Sequence, residues 1–298
     1  MTTAPGFGDR LAGAFAARGQ LCVGIDPHPW LLSQWALPDS ATGVREFGLR
    51  VVDACAGRVG IVKPQVAFYE RHGATGFAAL ETVIAAARAR GLLVIADAKR
   101  GDVGSSVEAY GAAWLTPGSP LEADALTVNP YLGVGSLDPV IALARRHGKG
   151  LYLLAATSNP EGLAGQSAVQ ATGEQAGHTV AGGIVAEVIR RNEAGQRTTV
   201  TAGSIGDLGV VLGATSDLAA YGINPDDLVT TSHTGPATSI LAPGFGHQGA
   251  RFDQVRSQFA AAAAVTVLSV SRSILSAGPD GLAAAITDHV GEAARCLA

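Results

Sequence analysis

The sequence predicts a single α/β domain folded as a closed (β/α)8 barrel, and three observations carry that prediction. The chain has 298 residues, within the reach of an eightfold barrel of roughly 250 residues with additions. Eight short apolar runs recur along it with amphipathic stretches between them, the rhythm of repeated βα units. Polar and charged residues follow seven of those runs at corresponding places, where a barrel of this kind gathers its working residues. Hydrophobic residues make up 47% of the chain and charged residues 15%, which suits a packed core and not a disordered chain.

The elements follow in order. Phe7, Leu11 and Phe15 recur every four residues, so an opening helix is expected to cap the bottom of the barrel. The first strand is Leu21–Ile25 and the second Val59–Val62. Phe77, Leu80, Ile84 and Ala87 form a helical stripe that Gly91 ends. Leu92–Ala96 is the third strand, an apolar run without polar alternation, as in a parallel sheet covered on both faces. Ala125–Val128 is the fourth. A second stripe, Leu137, Val140, Ile141 and Ala144, stops at Gly148. Leu151–Ala155, Leu208–Leu212, Ser239–Leu241 and Val265–Val270 complete the eight. The segment Ala214–Pro236, rich in Gly, Thr, Ser, Asp and Pro, is expected to hold a short helix and a loop. No linker divides residues 1–298, so one TIM barrel is the expected domain.

Several function classes are excluded. A net charge of −4 argues against a general nucleic-acid surface, and no run of 18 apolar residues offers a membrane span. The amino terminus lacks a basic region followed by a hydrophobic one, so a soluble cytoplasmic protein is expected. Cys22, Cys55 and Cys296 show no CxxC or Cys/His spacing, as expected of buried or incidental thiols in a reducing compartment. No metal-ligand set is visible.

The third strand ends in Asp97-Ala-Lys99-Arg-Gly-Asp102. Side chains alternate across a strand, so Asp97 and Lys99 should project to one side, with Asp102 returning from the loop. The chain has eighteen arginines but only three lysines, Lys63, Lys99 and Lys149. Lysines at 63 and 99 fit a need for a compact ammonium that can give up a proton, which arginine cannot do. The bland alternative is a surface salt-bridge cluster of little worth. Charges that follow a buried barrel strand are harder to solvate on the outside, which weighs against it. Other strand ends carry Asp26-Pro-His28-Pro, Lys63-Pro-Gln65, Asn129-Pro-Tyr131, Thr157-Ser158-Asn159-Pro, Pro243-Gly-Phe-Gly-His-Gln248-Gly and Ser271-Arg272-Ser273. Any one of these alone is an ordinary turn. Together they line one rim.

These pieces, with Cys22-Val-Gly-Ile-Asp26-Pro and Thr127-Val-Asn-Pro-Tyr-Leu-Gly, resemble the orotidine 5′-phosphate decarboxylase family, and most closely its longer bacterial branch. The match runs in order from about residue 20 to 275. The resemblance implies a homodimer with shared sites, in which Lys63, Asp97, Lys99 and Asp102 form an alternating catalytic network and Asp102 reaches into the partner's site. It implies that Asp26 and Lys63 hold the ribose hydroxyls, that Ser158 faces the pyrimidine, that Gln248 and Arg272 grip the phosphate, and that Asn129 belongs with the substrate-binding residues. The implied reaction takes orotidine 5′-phosphate to uridine 5′-phosphate and CO2 without a cofactor. The sequence departs from the family at Ser271 and Ser273, where glycine is more usual beside the arginine, and at Ala156, where the branch would place an arginine nearby.

The residue types suit such chemistry. Decarboxylation leaves electrons at C6 with no π-system to receive them, so an ammonium at Lys99 would stabilise the carbanion and then protonate it. Neighbouring carboxylates would favour its charged form. Asp97 would lie beside the departing carboxylate. This chemistry needs no imidazole, so His28 and His247 read as ordinary rim residues. Three rivals stay open: a Mg²⁺-dependent phosphosugar enzyme sharing the Asp-x-Lys-x-x-Asp motif, a Schiff-base aldolase, and a catalytically silent nucleotide-binding protein.

Overall fold

The computed structural model describes residues 5–195, 204–229 and 235–297. Eight parallel strands close into one barrel in sequence order: β1 (Leu21–Ile25), β2 (Ile61–Pro64), β3 (Leu93–Arg100), β4 (Ala125–Val128), β5 (Gly150–Ala156), β6 (Ile205–Leu212), β7 (Ala237–Pro243) and β8 (Thr266–Val270). The ring closes where β1 pairs with β8, Cys22 opposite Ser269. The strands are almost wholly buried, because the barrel interior lies on one face and a shell of helices on the other.

The major helices are α1 (Phe7–Arg18), α2 (Ala41–Cys55), α3 (Gly73–Ala89), α4 (Gly104–Leu115), α5 (Asp138–Arg146), α6 (Val180–Ala194) and α7 (Gly278–Leu297). Both predicted stripes face inward: Leu80, Ile84 and Ala87 on α3 and Val140, Ile141 and Ala144 on α5 are buried. Gly91 and Gly148 follow those helices at φ +74° and +62°, left-handed values that glycine takes at little cost. Helix α1 lies against the amino-terminal ends of the strands. The Phe7 ring meets Tyr152 edge-on at 6.0 Å, and a side chain at Gly150 would collide with Phe7.

The structure corrects several boundaries. The third strand does not stop at Ala96 but runs through Asp97 and Lys99 to Arg100. Strand β2 lies two residues later than predicted and takes in Lys63 and Pro64. Both extensions put charge inside the sheet, which is affordable because the charges pair with one another. The described residues of the segment 214–236 hold the short helical structure expected there, as two 3-10 helices at Leu218–Tyr221 and Pro225–Leu228. Residues 230–234 of that expectation lie outside the described part.

Candidate active site

A cavity of about 310 Å³ opens at the carboxyl-terminal ends of the strands, in the size range of small-molecule sites. Asp26, Lys63, Asp97, Lys99, Ser158, Gln248 and Arg272 all line it. Seven residues from six strand ends, chosen from sequence alone, thus meet in one place.

At its floor lies Asp97, 8% exposed, with four donors on its carboxylate. Lys63 Nζ at 2.7 Å and Gln65 Nε2 at 3.0 Å donate to Oδ2. Lys99 Nζ at 2.6 Å and the Thr127 hydroxyl at 3.0 Å donate to Oδ1. Burial alone would raise the Asp97 carboxyl, but the ammoniums of Lys63 and Lys99 overcome it and hold the group well below the usual carboxylate range. Burial likewise works against the Lys63 ammonium, yet Asp97 and Asp26 keep it above the ordinary lysine value. Lys63 is buried, whereas the Lys99 side chain is 45% exposed and faces the open cavity.

The local backbone explains how Lys99 gets there. Ala96 pairs with Leu126 and Arg100 with Val128, so three residues of β3 oppose the single Thr127 of β4. This bulge re-aims the strand end. Lys99 sits in it at φ +49°, a conformation a non-glycine residue adopts only where its surroundings hold it.

At the far wall, β7 leads into a turn in which Gly244, Gly246 and Gly249 all have positive φ. Gly246 comes so close to Ser273 that a Cβ there would lie 2.5 Å from its hydroxyl. Gln248, from this turn, and Arg272, next to Ser273, both line the cavity. The buried Oδ1 of Asp26 and hydroxyl of Ser271 have no protein partner, and both converge on Gly24, where a Cβ would touch them. Both residues line the cavity, and these atoms are hydrogen-bonding capacity that the protein's own groups leave unused. Ser158 approaches Gly213 closely, and its loop is held by Gln166, which accepts from the Thr157 N–H at 2.9 Å and donates to its hydroxyl at 2.8 Å. Ala156, the departure noted above, is fully buried.

Two predicted residues lie elsewhere. Asn129 is exposed, and its Oδ1 accepts from the Tyr131 N–H at 3.1 Å, a local turn bond that keeps it off the cavity wall. Asp102 does not line its own chain's cavity either; its carboxylate accepts from the Val103 N–H at 2.8 Å. Val103, Tyr131 and Leu132, all exposed, belong to the loops after β3 and β4, where Gly101 packs on the Asn129 carbonyl, and the exposed Tyr110 lies on α4. His247 lines the cavity and His28 does not; His28 packs on Phe68 at 4.3 Å, and burial lowers its pKa, with Asp26 opposing and Arg272 and His247 assisting. Burial pushes the Cys22 thiol up to about 12, as for an unreactive core thiol. Among the described residues no three His, Cys, Asp or Glu side chains form a metal-binding group, and no helix is long and apolar enough to cross a membrane.

Gln65 and Thr127 were not singled out from the sequence as site residues. Strand alternation held the signal: Gln65 lies two residues past Lys63, and Thr127 sits on the strand next to Asp97.

Residues 19–286 match the model of the orotidine 5′-phosphate decarboxylase / HUMPS family. An orotidine 5′-phosphate decarboxylase of a Nocardioides species is 50% identical over 269 residues, 90% of this chain and 91% of that one. The Streptomyces coelicolor protein of that name is 47% identical, covering 92% and 91%. A crystal structure from Streptomyces avermitilis, provisionally given the same name, superposes with a TM-score of 0.87 at 42% identity, over 99% and 97% of the two chains. The Leishmania donovani OMP decarboxylase structure gives 0.73 at 26% identity, over 98% and 99%. The chain therefore belongs to the orotidine 5′-phosphate decarboxylase / HUMPS family.

Proposed function

We propose that the protein converts orotidine 5′-phosphate to uridine 5′-phosphate and CO2 without a cofactor, with Lys99 stabilising the C6 carbanion and then protonating it. The observation that carries the reading is the Lys63–Asp97–Lys99 cluster on the cavity wall, an ionised carboxylate clamped between two ammoniums, of which Lys99 is much the more exposed.

In the step, the C6–carboxylate bond breaks heterolytically, the electron pair stays on C6 and CO2 departs. A proton from Lys99 Nζ then forms the C6–H bond, and the amine regains its proton from solvent. Asp97 has two tasks. It anchors Lys99 Nζ at 2.6 Å, and it faces the substrate carboxylate with like charge. Two unit charges about 4 Å apart interact by about 4 kcal/mol at an effective dielectric near 20, whereas the largest enzymatic accelerations need about 20 kcal/mol or more. Preorganisation and remote binding must supply the remainder. Asp26, Lys63 and the Ser271 hydroxyl suit the ribose, Ser158 the pyrimidine, and Gln248 with Arg272 the phosphate. Because phosphate binding contributes to the transition state, that grip affects turnover as well as affinity.

The active unit is a homodimer with shared sites. Asp102 does not line its own chain's cavity, its neighbour Val103 is exposed, and Tyr131 and Leu132 are exposed on the loop after β4, apolar surface that suits burial against a second copy.

The test is direct. Purified protein mixed with orotidine 5′-phosphate should bleach the orotate absorbance at an undiminished rate in excess chelator. No bleaching would refute the assigned reaction, and a rate abolished by chelator and restored by Mg²⁺ would refute the cofactor-free mechanism.

A further inference from the structure

We infer that Thr127 is a positioning residue for the decarboxylation, one hydroxyl that ties the main chain of Lys99 to the carboxylate of Asp97. Thr127 lies on β4, is 1% exposed, and has a side chain on the cavity wall. Its Oγ1 accepts from the Lys99 backbone N–H at 2.9 Å and donates to Asp97 Oδ1 at 3.0 Å. The direction of both bonds is fixed. The amide can only donate, the ionised carboxylate can only accept, and a hydroxyl is the group able to do both.

The bulge makes this hydroxyl necessary. Three residues of β3 stand opposite Thr127 alone, so the β4 main chain cannot serve all the amides of Asp97, Ala98 and Lys99. The hydroxyl takes the place of a ladder acceptor for Lys99, the residue whose φ of +49° most needs an anchor. A buried amide without an acceptor would favour relaxation of that backbone, and the Lys99 stem would swing away from its aim. The same hydroxyl occupies the last free position on Asp97 Oδ1, beside Lys99 Nζ, and so sets the carboxylate plane against which the ammonium rests. Thr127 touches neither reacting atom; it acts through the two residues that do.

The inference rests on the proposed roles of Lys99 and Asp97, and the experiment separates the two. Thr127→Val keeps the branched shape and removes both bonds, Thr127→Ser keeps the hydroxyl, and Lys99→Ala is the control. Displacements near 1 Å at a reacting group cost about a hundredfold. Thr127→Val is therefore expected to lower kcat about ten- to a hundredfold while uridine 5′-phosphate affinity stays within about threefold, and Thr127→Ser to restore kcat to within about threefold of the parent. Should Thr127→Val fail to fold, Thr127→Cys, a weak donor and acceptor of similar size, is compared with Thr127→Ser and must fall about tenfold or more below it. A kcat within threefold in Thr127→Val, equal losses of kcat and product affinity, or no advantage of serine would overturn the inference. An active Lys99→Ala would instead overturn the reading on which it rests.

Discussion

Asp97→Asn replaces a carboxylate by a group of the same shape, so what it changes is charge and hydrogen-bond polarity. The wild-type carboxylate accepts four bonds, two on each oxygen, and each oxygen takes one from a lysine ammonium. An amide in either orientation turns its NH2 toward one ammonium and one neutral donor, and it neutralises neither lysine. Lys99 can turn to solvent, but Lys63, 6% exposed, cannot. Removing one partner of a buried pair costs about 3–5 kcal/mol, a third or more of the stability of many proteins. Spread over an unfolding entropy of roughly 2.1 cal/mol/K per residue for 298 residues, that lowers Tm by about 5–8 °C. The pH dependence gives a sharper test. In the parent, the Lys63 pKa is raised, so its contribution is fully present below the unfolded value near 10.4 and is lost only as pH rises through the higher folded value. Without Asp97, burial becomes the dominant influence and favours neutral Lys63, so the native variant gains stability as the ammonium deprotonates. The Tm deficit measured by scanning calorimetry should therefore shrink from pH 7 to pH 10. A deficit below about 2 °C, or one that does not change over this range, would refute the account of Asp97 as the counter-ion of a buried lysine.

Lys99→Ala should lower kcat at least about a thousandfold, since it removes both the carbanion's charge partner and its proton donor, with uridine 5′-phosphate still binding by titration calorimetry. Arg272→Ala should raise KM and lower kcat, with a combined loss in kcat/KM of roughly 10- to 150-fold, the value of a charged hydrogen bond of about 1.5–3 kcal/mol, read in steady-state kinetics. Equimolar mixing of Lys99→Ala with Asp102→Ala should recover about a quarter of parental activity. Half of randomly paired dimers are mixed, and each carries one intact shared site; no recovery would argue against sharing. The Asp97 carboxyl has a depressed pKa, so its stabilising contribution is present above about pH 4 and is lost only as pH falls below that. The kcat/KM profile should accordingly show no limb from Asp97 between pH 5 and 8.

Much of the barrel was legible because parallel strands buried on two faces must be apolar runs. Strands β1 and β4 lie where Leu21–Ile25 and Ala125–Val128 were expected. The failures are where charge enters the sheet. Asp97-Ala-Lys99-Arg100 falls outside the apolar run Leu92–Ala96 that marks the strand, since nothing in a linear sequence shows that Lys63, Gln65 and Thr127 will satisfy Asp97 from neighbouring strands. The bulge that turns Lys99 is likewise a property of the β3–β4 pair and not of either segment alone. Asn129 shows that following a strand end does not by itself put a side chain on the cavity wall. It stands two residues after Thr127, but the chain has already turned, and the amide is engaged with Tyr131.

The two remaining buried lysines show why the site belongs at one end of the barrel. Lys149, 5% exposed, lies at the start of β5, with Glu122 at 2.8 Å and Asp124 at 3.9 Å. Arg88 pairs with Glu122 at 2.6 Å and Arg10 with Asp124. Asp124 also accepts from the Val94 N–H and Glu122 from the Gly118 N–H, so the cluster is consumed internally beside α1. The Lys63 end uses the same chemistry of ammonium against carboxylate but leaves polar capacity unspent. Asp26 Oδ1 and the Ser271 hydroxyl have no partner, and Lys99 remains part-exposed above them. Buried charge by itself marks neither end as functional, because networks that are fully satisfied are stable and silent. A cluster becomes a site where desolvated polar atoms face an open cavity, so that a ligand, and not the protein, completes the network.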